Sequence, residues 1–154
     1  MSGKPAARVS DKVTHALPPS LVPGPGSPDV LIGYLPAWRG VPAGAAAALQ
    51  SAKKASETVI QAAEKANKVA GEAAKVAAAA QMSSMITSMA GGADIHLCTT
   101  LLPPIPHGPG VVIDGSKTVL INGLPACRKG DTVLEAIGPP NKISKGEQTV
   151  LIGN

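Results

Sequence analysis

The chain has 154 residues and a mass of 15.3 kDa, room for one domain or a small domain with an appendage. Hydrophobic residues reach 44% while aromatics are 1%, with no Phe, one Tyr and one Trp, so the core must be built from Ala, Val, Leu and Ile, and base stacking on aromatic platforms is excluded as a mode of action. The net charge of +4 is spread along the chain rather than gathered in a basic stripe, which argues against a nucleic-acid partner.

The N-terminal stretch MSGKPAARVSD has no apolar core of the kind a Sec signal peptide needs. It contains Pro5-Ala6-Ala7-Arg8 followed by Asp11. The segment GSPDVLIG over Gly26–Gly33 follows, then LPAWRG over Leu35–Gly40. A short Val/Leu/Ile run bounded by Gly predicts a buried strand entered and left through turns. The same phrase returns as GSKTVLING over Gly115–Gly123 with LPACRKGD over Leu124–Asp131, and again as GEQTVLIG over Gly146–Gly153. Joining the C-terminal VLIGN to the N-terminal GKPAARVSD completes a third copy, so three similar units are predicted around a closed ring opened within one turn, with the two termini close together.

Residues 44–90 break this pattern. The stretch is Ala-rich and helix-forming, with apolar residues stepping by three and four from Leu49 through Ala52, Val59, Ala63 and Ala66 to Ala80, and with Glu64 and Lys68 in the favourable i, i+4 order. A single helix of that length would reach ~70 Å and could not return to the β-domain. A hairpin turning near Asn67–Gly71 is the preferred reading; the other is one helix over 44–80 returned by the Met/Ser/Gly-rich segment 81–93. The insertion is expected to be a separable arm at residues 44–90, between the two parts of a β-domain at residues 1–43 and 91–154. Its deletion is expected to spare folding and metal binding. Met82, Met85, Ile86 and Met89 form an adaptable apolar stripe suited to the β-domain itself, to the protein it docks on, to an effector or to a chaperone. Eight charges across 53–75 argue against stable membrane insertion. Trp38 is expected at the junction of arm and β-domain.

The ordered set of Pro-Ala-X-Arg motifs resembles the PAAR-repeat family, which caps the spike of the type VI secretion system. Pro5-Ala6-Ala7-Arg8 is the literal motif; Pro36-Ala37-Trp38-Arg39 and Pro125-Ala126-Cys127-Arg128 are variants. The resemblance covers about residues 4–40 and 93–154. It implies a mainly β fold, a small pseudo-threefold cone of short strands, here with an α-helical hairpin insertion. It also implies a non-enzymatic role on the blunt end of a trimeric VgrG spike, one chain per trimer, carrying or accompanying effectors. Residence in the bacterial cytoplasm before firing and secretion through the apparatus afterwards follow from the same resemblance.

Counting from the Asp of each unit, His15, Cys98 and Glu135 hold equivalent places, four residues after Asp11, Asp94 and Asp131. His96 lies two before Cys98, so in a strand both face one way. His107 follows in the turn-rich Pro104-Ile105-Pro106-His107-Gly108. His15, His96, Cys98 and His107 form a donor set suited to one tetrahedral structural zinc, and family members similarly hold zinc with three His and one Cys. Cys127 is the alternative thiolate, although its place in the motif matches Ala7 and Trp38 and reads as packing. Glu135 reads as an outer acceptor or a surface carboxylate. A small zinc hydrolase using Glu135 or Asp94 as base, and a membrane-active effector acting through the insertion, are the competing functions. The sequence contains no H-E-x-x-H, G-x-S-x-G or P-loop pattern to support catalysis.

Overall fold

The structure is a computed structural model and describes residues 2–14 and 24–154. It is mainly β, with a helical hairpin inserted between strands. In chain order the elements are β1 (Lys4–Ala6), β2 (Val13–Thr14), β3 (Leu31–Ile32), β4 (Leu35–Pro36), α1 (Ala43–Ala66), α2 (Lys68–Met89), β5 (His96–Leu102), β6 (Ile105–Val112), β7 (Leu120–Ile121), β8 (Leu124–Pro125), β9 (Thr132–Glu135), β10 (Asn141–Ile143) and β11 (Glu147–Ile152).

The predicted threefold repeat is visible in the hydrogen bonding. Two tight hairpins, β3–β4 and β7–β8, pair Leu31 with Pro36 and Leu120 with Pro125. Each turns on two residues of positive φ, Gly33-Tyr34 at 53° and 69° and Asn122-Gly123 at 53° and 77°, the torsions that match hairpin twist. The third hairpin is β1–β11, where Pro5 faces Leu151 and Lys4 faces Ile152, so the two ends of the chain lie side by side. The three motifs then join in a cycle. Ala7 N–H donates to Cys127 C=O at 2.9 Å, Cys127 N–H to Trp38 C=O at 3.0 Å, and Trp38 N–H to Ala7 C=O at 3.0 Å. Each motif Arg clasps the Asp of its own unit through backbone and guanidinium donors: Arg8 to Asp11, Arg39 to Asp94 and Arg128 to Asp131.

The core is layered along this pseudo-threefold axis. Ala6, Ala37 and Ala126 pack with Ile32, Ile121 and Ile152. The next layer holds Ala7, Trp38 and Cys127 with Val13, Val112 and Val133. Trp38 is thus fully buried at the axis, not at the arm junction where the sequence reading placed it. Small partners at the two equivalent positions, Ala7 and Cys127, leave space for the one indole. All three units contribute to the sheet β2-β10-β9-β6-β5, with β2 from the first, β5 and β6 from the second, and β9 and β10 from the third.

The insertion is a hairpin with its break at Asn67, which ends α1 and caps α2 by accepting from Ala70 N–H at 2.8 Å. Gly71 lets the helices close up, because a Cβ there would lie 2.7 Å from Glu64 Cγ and 3.2 Å from its Cα. Gly71→Leu is expected to cost about 1–3 kcal/mol by forcing the helices apart, read as a shift in urea midpoint; an unchanged midpoint would count against the close crossing.

The hairpin is not a free arm. Leu49 of α1 and Met82, Ile86 of α2 pack into one apolar cluster with Val111, Leu124, Leu134 and Ala136 of the β-domain. Ile60 and Ala78 meet Ile137 in a second cluster. The sequence pattern put Val59 on the apolar face, but Val59 is exposed and Ile60 points inward, together with Lys53. The expectation that deletion of 44–90 spares folding therefore meets a physical objection: the β-domain would expose the apolar surface these helices cover.

Candidate metal centre

The site is built on three adjacent strands whose registers coincide. His96 of β5 faces Gly110 of β6, and Gly110 in turn faces Glu135 of β9. Cys98, two residues along, faces Gly108. Alternation along β5 buries His96, Cys98 and Thr100 and exposes Leu97 and Leu101. The glycine in the middle strand is required. A Cβ on Gly110 would stand 2.7 Å from His96 Nε2 and 2.9 Å from Glu135 Cγ, so only a bare backbone lets the outer side chains meet above it. Gly138 makes the same allowance for the His107 ring.

Cys98, His107 and Glu135 each bring a ligand atom into a space where the atoms lie within 4.8 Å of one another. His107 Nδ1 is 3.1 Å from Glu135 Oε1, and His96 Nε2 is 3.7 Å from Glu135 Oε2. Asn141 Nδ2 donates to Glu135 Oε1, and Lys53 Nζ of α1 donates to the Glu135 carbonyl at 2.6 Å. His96 also meets the Trp38 indole edge to face at 6.1 Å. The imidazole thereby stands in the layer occupied by Val13 and Val133 in the other units, two residues after each Asp.

The electrostatics are those of donors held out of water. Burial, reinforced by the hydrogen bond to Glu135, pushes the Cys98 thiol up to about 12. Burial pushes the Glu135 carboxyl up to about 7, against the opposing pull of Cys98, Lys53 and Asn141. Lys53 is lowered to about 8, again by burial. A divalent cation reverses this balance, since it favours thiolate and carboxylate together, and a mixed sulfur, nitrogen and oxygen donor set fits zinc-type coordination. The residues present therefore fit a bound metal.

Of the expected ligands, Cys98 and His107 converge, with Glu135 between them; His96 stands 3.7 Å from the same carboxylate but outside that converging group, and His15 lies outside the described residues. Cys127 sits elsewhere, fully buried among Ala7, Trp38 and Val133, with burial raising its thiol well above the ordinary range. Glu135 is wholly buried and central, not a surface carboxylate. The signal in the sequence is its shared offset from the unit Asp, which aligns it with His15 and Cys98; its burial depends on strand register that the offset does not carry.

The fold and site define a threefold-built β-domain with a buried cluster of soft and hard donors that could hold a metal ion. Residues 103–154 match the family model for the PAAR motif, about a third of the chain, consistent with a PAAR-repeat protein of the type VI secretion system. No curated protein matches the chain. The PAAR motif supports a spike-tip role in general, and such motifs bind metal. Proteins with this motif are structural spike-tip components. Among the described residues no helix is long and apolar enough to cross a membrane.

Proposed function

We propose that this chain caps and sharpens a trimeric VgrG spike, one chain per trimer, and helps attach or deliver effectors. The observation that carries this reading is a ring of exposed leucines. Leu31, Leu120 and Leu151, one from each unit, are 61%, 59% and 60% exposed. Each pairs with the proline of its hairpin, and each is followed by the buried Ile of the first core layer. Three equal apolar contacts about a pseudo-threefold axis are what the end of a threefold trimer can match, whereas a twofold partner cannot engage all three alike. The apolar side chains supply the contact area and the hairpin backbones the orientation. Effectors or chaperones would engage residues 44–90 on the side away from the β-domain, where Val59, Val69 and Val76 are exposed. The protein would wait in the bacterial cytoplasm and leave through the apparatus on firing.

A single structural zinc would staple the tip, with Cys98 and His107 as ligands; His15 and His96 complete the set that the family resemblance implies. Burial of His96, Cys98, His107 and Glu135 to 5% exposure or less favours a structural over a catalytic ion. Co-purification with a VgrG trimer at one chain per trimer is the expected result. The triple substitution Leu31→Asp, Leu120→Asp, Leu151→Asp is expected to abolish it while leaving the circular dichroism spectrum unchanged. Binding that survives the triple variant would overturn the docking face.

A further inference from the structure

We propose that Glu135 is itself a metal ligand, bonding through its carboxylate beside Cys98 and His107, so that this centre departs from the three-histidine, one-cysteine set the family resemblance implies. The inference rests on the metal-stapled tip proposed above and deepens it. Three independent observations carry it. Glu135 holds the third-unit place equivalent to His15 and Cys98, so the threefold plan directs it to the same point on the axis. Its carboxylate converges with the Cys98 and His107 donors, and His96 is not one of that converging group. The carboxylate is fully buried over the bare backbone of Gly110, facing the same space as the Cys98 and His107 donors, where a bound cation would offset the burial of its charge.

The fine geometry agrees. The 3.1 Å separation of His107 Nδ1 and Glu135 Oε1 is close to the edge of about 3.3 Å spanned by two ~2.0 Å bonds at a tetrahedral angle. Asn141 engages Oε1, and Lys53 fixes the Glu135 main chain from α1, so the carboxylate is oriented before any ion arrives. His96 sits one layer below, against Trp38, where it supports the carboxylate at 3.7 Å.

The test uses the whole chain loaded with cadmium-113 and read by NMR, together with a zinc competition titration. Exchanging carboxylate for imidazole in Glu135→His is expected to move the cadmium resonance downfield, since nitrogen donors deshield the ion more than oxygen donors. Glu135→Gln is expected to weaken zinc beyond the ~10–100-fold that loss of a supporting residue costs, with His96→Asn remaining within that range. An unmoved resonance in Glu135→His, or Glu135→Gln within the supporting range, overturns the assignment while the metal-stapled tip stands. A wild-type chain that takes up neither metal sinks both.

Discussion

Replacing residues 40–93 by the dipeptide Lys-Gly yields a chain that fails to reach a compact native state. The chain path itself permits the replacement. Asp94 N–H donates to Arg39 C=O at 3.0 Å, as Asp131 does to Arg128 and Asp11 to Arg8, so the insertion occupies the place of a two-residue turn in the other units. What the deletion removes is packing. Leu49, Ile60, Met82 and Ile86 are buried against the β-domain, and each contributes roughly 1.5–3 kcal/mol by leaving water. Together they match the order of the ~5–15 kcal/mol that holds a whole domain together. Val111, Leu134 and Ile137, at 5% exposure or less, would face solvent in their place. The expected readouts are loss of the near-ultraviolet signal of Trp38, the sole tryptophan, and aggregation at micromolar concentration. Substituting Thr at Val111, Leu134 and Ile137 should restore solubility. A shortened chain unfolding cooperatively at the wild-type midpoint would show that the helices add nothing to the core.

The gap between that result and the sequence reading lies in what periodicity encodes. The V-L-I runs and the Pro-Ala-X-Arg motifs are read by local rules, strand alternation and turn chemistry, and these fixed the threefold plan, the adjacency of the termini and the return of Asp94 to its partner across the insertion. Helical periodicity in an Ala-rich segment is ambiguous by contrast. Alanine marks either face equally well, so the stripe through Leu49 and Val59 and the observed face through Leu49, Lys53 and Ile60 differ by about one residue step around the helix, ~100° between Val59 and Ile60. Lys53 was invisible as a buried residue because its reason for burial, the Glu135 carbonyl, lies far away in sequence. The lone Trp misled for a related reason. Its motif leads into the insertion and so pointed to the junction with the arm, whereas its register with Ala7 and Cys127 places it at the axis. In the metal cluster, strand alternation correctly paired His96 with Cys98, and the shared offset pointed to Glu135, but register across three strands was needed to see how Gly110 opens the space between them.

Among point substitutions, Asp94→Ala is expected to be one of the most damaging, costing about 3–5 kcal/mol. Its carboxylate is fully buried and accepts four donors: Arg39 N–H at 2.7 Å, Arg39 Nε at 3.1 Å, Arg39 Nη2 at 2.9 Å and Gly26 N–H at 2.9 Å. Removing it takes the counter-charge from an Arg39 side chain that is 10% exposed and leaves an amide without its acceptor in the same interior. It also unfastens the point where the insertion rejoins the ring, where Asp94 fastens the second unit to its own motif Arg. The equivalent change Asp11→Ala should cost less, because the Arg8 side chain is 16% exposed and keeps Glu147 at 2.8 Å. Urea denaturation of both variants gives the comparison. Removing both charges, as in Arg39→Met with Asp94→Leu, should recover much of the loss, because it eliminates two desolvated ions rather than orphaning one. If Asp94→Ala costs under about 1 kcal/mol, or no more than Asp11→Ala, the Arg–Asp clasp is not what closes the ring.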